Sequence, residues 1–167
     1  MNFFSLFKRK LIYNFKKKIS IDYGSKNLNT LDELFHHYGS DKANIFKKNG
    51  EEGHGFSKFY EKKLEKLKNE KINILEIGSY AGASAAAFTK FIPKSNIFCF
   101  DVNISNFQYS SKKIHVFGLD INNQKKILQV LNEIFELYKI KEFDIIIDDG
   151  SHNLNDILVA FKFFFKF

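Results

Sequence analysis

The sequence predicts an α/β chain built on an open, mainly parallel sheet with helices on both of its faces. Three observations carry that expectation. Four short runs, INILEI at 72–77, NIFCFD at 96–101, KIHVFG at 113–118 and FDIIID at 143–148, are nearly continuous in apolar residues and end at Gly or Asp. Such runs fit strands covered on both faces, whereas a strand with one wet face alternates. Helical periodicity fills the spaces between them, giving the order of a doubly wound sheet. The 167 residues, 44% apolar with 21 Phe and 7 Tyr, supply core for a single domain. Disorder, collagen-like repeats and a disulfide scaffold are excluded by the same composition.

Residues 1–20 read as a basic amphipathic leader helix. They hold Lys8, Arg9, Lys10, Lys16, Lys17 and Lys18 and no acid. Phe3, Phe4, Phe7, Leu11, Ile12 and Phe15 recur at helical spacing. The formal charge of +7 therefore belongs to the leader, since residues 21–167 balance 20 basic against 19 acidic groups. A helix of this kind either lies on an anionic membrane surface or packs on its own domain with its lysines in water. Lysines interrupt every apolar stretch, which argues against a secretory signal. No run approaches the roughly 18–20 apolar residues of a membrane span.

Residues 21–70 form a helical and loop segment. Thr30 and Glu33 make a capping box ahead of Leu31, Leu34, Phe35 and Tyr38, and Gly39 ends that helix. Residues 49–53 read as loop, and Phe56, Phe59, Tyr60, Leu64 and Leu67 mark a second amphipathic helix. From 71 to 167 the strands alternate with helices. One spans 83–91, one carries the stripe Ile127, Leu128, Leu131, Ile134, Phe135 and Tyr138, and one starts near Asn155.

Ligands of open parallel sheets sit beyond the carboxyl ends of the strands, and here those ends are polar. The first runs through Glu76, Gly78, Ser79 and Gly82 into a helix of small residues. Gly78 allows a tight turn, and Gly82 lets the helix begin close to a ligand whose anionic group meets its N–H groups. The spacing lacks the glycines of a dinucleotide fingerprint, because Tyr80 and Ala83 stand where two of them belong. Asp101 ends the second strand, placed to accept from ribose hydroxyls, and Asp120 follows the third, within reach of an adenine edge. Each acid alone also reads as a cap. The fourth end is DDGSH, Asp148 to His152. Adjacent carboxylates leaving a buried strand repel unless a divalent cation or an ammonium group compensates them. Gly150 permits a turn that returns His152 to the same mouth, where a neutral imidazole accepts a proton from a hydroxyl.

These elements, with YGSDK at 38–42 and HGFSKFY at 54–60, resemble class I S-adenosylmethionine-dependent methyltransferases over about residues 31–167. They are most similar to the metal-dependent sugar O-methyltransferases that modify macrolide and other glycoside sugars. The resemblance implies a Rossmann-like fold, S-adenosylmethionine and Mg²⁺ or a similar divalent cation as cofactors, and a small-molecule or glycan acceptor. It also implies that Glu76, Gly78, Ser79 and Gly82 shape the methionine pocket and that Asp101 holds the ribose. Asp120 would lie by the adenine and Asp148 near the cofactor's amino group. Asp149 would be a metal ligand and His152 the general base.

The family's sheet has seven strands and a later Glu-Asp strand end that completes the metal site, whereas about four strands are visible here. The expectation is thus a C-terminally truncated chain with a bare edge at the fourth strand and a terminal Phe cluster short of packing partners. Whether such a chain is an active transferase is left open. A non-catalytic cofactor-binding fragment, or a membrane-surface or partner-docking protein acting through residues 1–20, are the alternatives. Nucleic acid is disfavoured, since no basic stripe continues beyond the leader. A homo-oligomer is compatible with the sequence, and one cysteine suits a cytoplasmic location, with the inner membrane surface as a second site. His115 and Cys99, both within strands, read as structural, and the adjacent His36 and His37 point to different sides of a helix.

Overall fold

The computed structural model describes residues 3–23, 28–46 and 51–164. Its elements run α1 (Phe3–Phe15), β1 (Ile19–Ser20), α2 (Leu31–Tyr38), α3 (Ser57–Leu64), β2 (Asn73–Ile77), α4 (Ala83–Phe91), β3 (Asn96–Asp101), β4 (Tyr109–Ser110), β5 (Ile114–Gly118), α5 (Gln124–Tyr138), β6 (Ile145–Asp148) and α6 (Leu154–Phe164). The four expected strands make one parallel sheet in the order β5-β3-β2-β6. Register sets Glu76 opposite Cys99 and Ile147, and Ile77 opposite Phe100 and Asp148. Chain order reverses between β3 and β6 on either side of β2, so the switch point lies at the end of β2. The two-residue strands β1 and β4 pair with each other and had no signal in the sequence.

Alternation along the buried strands splits the core into two layers. Ile74, Ile97, Cys99 and Ile147 face α2, α3 and α4, together with Phe35, Leu64, Phe88 and the alanines at 85–87. Leu75, Ile77, Phe98 and Phe100 face α5, through Ile127, Val130, Leu131 and Ile134, and reach Ala160 and Phe164 of α6. Two covered faces explain why these strands read as continuous apolar runs. Small side chains at Ser84, Ala85, Ala86 and Ala87, all buried, let α4 lie close against the sheet. The capping box forms as expected, with Gly39 at φ 78° ending α2.

Among the described residues β6 pairs with β2 alone and forms one margin of the sheet. The terminal aromatic cluster fares better than expected: Phe164 is buried, with its ring 6.1 Å from that of Phe100. Phe161 is 60% exposed, and the cluster's last members lie outside the described residues.

Candidate active site

The turn after β2 is held by close contact. The Gly78 N–H donates to the Phe100 carbonyl at 2.8 Å, and Gly78 adopts φ 81°. A Cβ there would lie 2.3 Å from the backbone oxygen of Asp149, so glycine is required both by conformation and by the approach of the β6 turn. Gly82, at φ 76°, has a different reason from the one its sequence suggests. A Cβ on it would lie 2.3 Å from the Phe107 ring, so its bareness makes room for a protein side chain rather than for a ligand. Ser79 Oγ donates to the Glu76 carbonyl at 3.1 Å and closes the turn from within.

Beneath this turn lies a group that the strand-end pattern did not reveal. Lys42, only 3% exposed, donates from Nζ to Asp149 Oδ2 and stands 3.9 Å from Glu76 Oε1. Burial alone would lower the Lys42 pKa, but the carboxylates of Glu76 and Asp149 outweigh it and the net shift is upward. Lys42 is therefore a buried ammonium ion. Of the two compensating charges that DDGSH admits, the structure supplies the ammonium from within the chain. Glu76 is fully buried and accepts from Ser84 Oγ, while its Oε2 has no hydrogen-bond partner. Burial pushes its pKa up against the opposing pull of Lys42.

The cavity over this ion group has a volume of about 640 Å³, within the ordinary range for small-ligand pockets. From the sheet side Gly78, Ser79, Tyr80, Ser84, Asp149 and His152 line it. From the N-terminal segment come Tyr38, Asp41, Lys42 and His54. His54 Nδ1 lies 3.9 Å from Asp41 Oδ2. Tyr109 borders the same space, donates from its hydroxyl to the Tyr38 carbonyl at 2.6 Å, and sets its ring edge-on to Tyr38. These N-terminal residues belong to YGSDK and HGFSKFY, which carried the resemblance but gave no periodic sign of facing a site.

The structure thus brings Gly78, Ser79, Asp149 and His152 to one cavity and sets Glu76 beneath them. Gly82, Asp101, Asp120 and Asp148 do not line it. Asp101 holds two turns together, accepting from the Tyr80 N–H at 2.7 Å and the Asn103 N–H at 2.6 Å. Asp120 accepts from the Asn122 N–H at 3.0 Å. Asp148 accepts from the Gly150 N–H at 3.2 Å, and burial raises its pKa. Asp148 lines a second, largely apolar cavity of about 430 Å³ between β6 and α6. The residue that turns the chain back is His152 itself, at φ 56°, with Gly150 outside the left-handed region. His115 is half-buried with its pKa lowered to about 4 by burial, and Cys99 is fully buried. Cys99 packs in the core and the His115 ring lies against Phe98, and neither lines the cavity.

No protein-family model matches the chain, and no curated protein matches it. The strand order, the glycine turn at the switch point and the mouth beside it define the fold of a class I methyltransferase. Among the solved structures it resembles is the MycE methyltransferase of the mycinamycin biosynthetic pathway, in complex with Mg, SAH and mycinamycin VI. Identity is 25% and the TM-score 0.65, over 84% of this chain and 36% of that one. A second MycE structure, in complex with Mg and SAH, shares the fold at 24% identity and a TM-score of 0.55, over 86% of this chain and 32% of that one. The chain spans about a third of the length of the MycE chains it matches.

Proposed function

We propose that this chain carries the cofactor side of an S-adenosylmethionine-dependent O-methyltransferase whose acceptor is a sugar hydroxyl of a glycoside or glycan. The observation that carries this reading is the convergence of the Gly78 turn, Asp149 and His152 on one cavity at the switch point. The likeness to MycE supports it. The reaction is assigned to the cytoplasm.

The residues present fit the cofactor. Glu76 Oε2 is buried with spare acceptor capacity beneath the turn, and Asp149 offers a carboxylate to the cavity. Asp101 accepts one backbone N–H on each oxygen, and a carboxylate oxygen has a second lone pair, which suits it to ribose; Asp120 is placed beside the adenine by the resemblance alone. A Mg²⁺ ion keeps several waters and takes one or two carboxylates, and Asp149 offers one. Among the described residues no group of three His, Cys, Asp or Glu side chains stands ready to hold a metal, and Asp149 is the carboxylate that would take the ion. When bound, S-adenosylmethionine supplies an electrophilic methyl group and Mg²⁺ acidifies the acceptor hydroxyl.

The chain's own residues then have distinct tasks. Lys42 fixes the Asp149 carboxylate toward the cavity by holding one of its oxygens. Ser79 keeps the turn closed beneath the donor. His152, exposed at the mouth, accepts the hydroxyl proton. Tyr38 and Tyr109 border the same cavity, where holding donor and acceptor in line would be the main source of rate gain. A methyl-transfer assay with labelled cofactor and glycoside acceptors tests the reading. His152→Ala is expected to lower turnover about 10²–10⁴-fold with cofactor affinity unchanged. Full turnover in that variant would remove His152 as the base. Cofactor binding without transfer to any acceptor would favour the binding-fragment alternative.

A further inference from the structure

α1 is docked with its polarity reversed. Its inward side presents Arg9, Tyr13 and Lys16 to the loop that follows β3. Arg9 Nη1 donates to the Val102 carbonyl at 2.8 Å, and Lys16 Nζ donates to the carbonyls of Ser105 at 3.2 Å and Asn106 at 3.4 Å. The Tyr13 ring meets Phe107 edge-on at 6.3 Å. The apolar stripe faces away from the domain. Phe7, Leu11 and Phe15, four residues apart and so on one side of the helix, are 53%, 41% and 86% exposed, and Phe4 extends the row at 77%. Lys8, Lys10 and Lys17 are exposed beside that row.

A helix packed for the sake of the domain alone would turn the phenylalanines inward and the lysines out. Here two cations are tied to backbone carbonyls, which leaves the large apolar side chains in water. We infer that α1 is a membrane-surface helix, and that the outward row of Phe7, Leu11 and Phe15 enters the headgroup boundary of an anionic bilayer. Charge complementarity selects this occupant. Lys8, Lys10 and Lys17 stand exposed beside the row and residues 1–20 hold no acid, so a negatively charged surface is attracted to the outward side of the element. No helix among the described residues is long and apolar enough to cross a membrane, so the contact is parallel to the surface.

Co-sedimentation of the full chain with phosphatidylglycerol-containing vesicles, against pure phosphatidylcholine vesicles, tests this. Binding is expected to the anionic vesicles alone and to weaken as salt is raised. The combined variant Phe7→Ser, Leu11→Ser, Phe15→Ser changes only exposed positions and is expected to lower the bound fraction about tenfold or more. The chain has no Trp, so Phe7→Trp gives an isolated fluorophore whose emission shifts to the blue on anionic vesicles. Three results overturn the inference: a chain left in the supernatant with an unshifted Phe7→Trp spectrum, undiminished binding by the triple serine variant, or a dimer that this variant dissolves without any vesicle binding. The last would make the stripe a protein contact.

Discussion

Polar groups turn inward in two regions of this molecule, and the two differ in what meets them. Beneath the β2 and β6 ends, the Lys42 ammonium is paired with the carboxylate of Asp149 and lies near that of Glu76, all but closed off from water. Under α1, Arg9 and Lys16 donate to backbone carbonyls, at a margin where water remains close. Charges brought together in low dielectric depend on each other, because removing one strands the others. Cations resting on carbonyl dipoles at a wet surface are exchangeable. The first arrangement belongs to the fold and its site, while the second is expected to contribute little to the stability of the sheet.

Substituting Lys42 breaks the comparison hardest. Lys42→Met leaves Glu76 and Asp149 without their cation and is expected to cost about 3–5 kcal/mol in chemical denaturation. A loss below about 1 kcal/mol would mean that the pairing does not hold the site together. The pH dependence sharpens the same point at a third inward group. His115 is held neutral by burial, its pKa lowered to about 4 from the usual 6.5, and its Nε2 is buried without a partner. The unfolded chain therefore binds a proton that the folded chain refuses between those values. The resulting stability is present above about pH 6.5 and is lost as pH falls toward 4. After allowing for solvent around the half-buried ring, the His115 contribution should fall by about 2 kcal/mol across that window, read as the difference in slope between the chain and His115→Phe, because Glu76 and Asp148 with their raised pKa values slope the other way. Smallest of all is the effect under α1: Lys16→Met is expected to change stability by no more than about 0.5 kcal/mol. A loss comparable with that of Lys42→Met would show α1 to be integral to the core.

Much of the fold was legible because burial on both faces leaves an uninterrupted apolar signature. The 96–101 run is β3 residue for residue, and the other three runs contain β2, β5 and β6 with one or two extra residues at their starts. Helix α4 and the capped α2 were equally plain. Strands β1 and β4 were not, since a two-residue pairing has no period to detect. Within the site, Gly78, Asp149 and His152 were readable because strand ends have a known place in such sheets. Lys42 was not, because one buried lysine in a loop leaves no mark in composition or spacing. Its partner lies 107 positions away in sequence and only the fold brings them together. The α1 stripe was visible as periodicity, but periodicity names an apolar face without saying what covers it. Arg9 and Lys16 decide its direction through carbonyls about 90 positions downstream.

The central claim is that the cavity at the switch point binds S-adenosylmethionine. Titration calorimetry of the purified chain with S-adenosylhomocysteine measures this without requiring turnover or an acceptor. One binding site per chain, weakened at least tenfold by Asp149→Asn with the fold intact by circular dichroism, is the result this account predicts. A natively folded chain that releases no binding heat at millimolar ligand, across several temperatures, would contradict it.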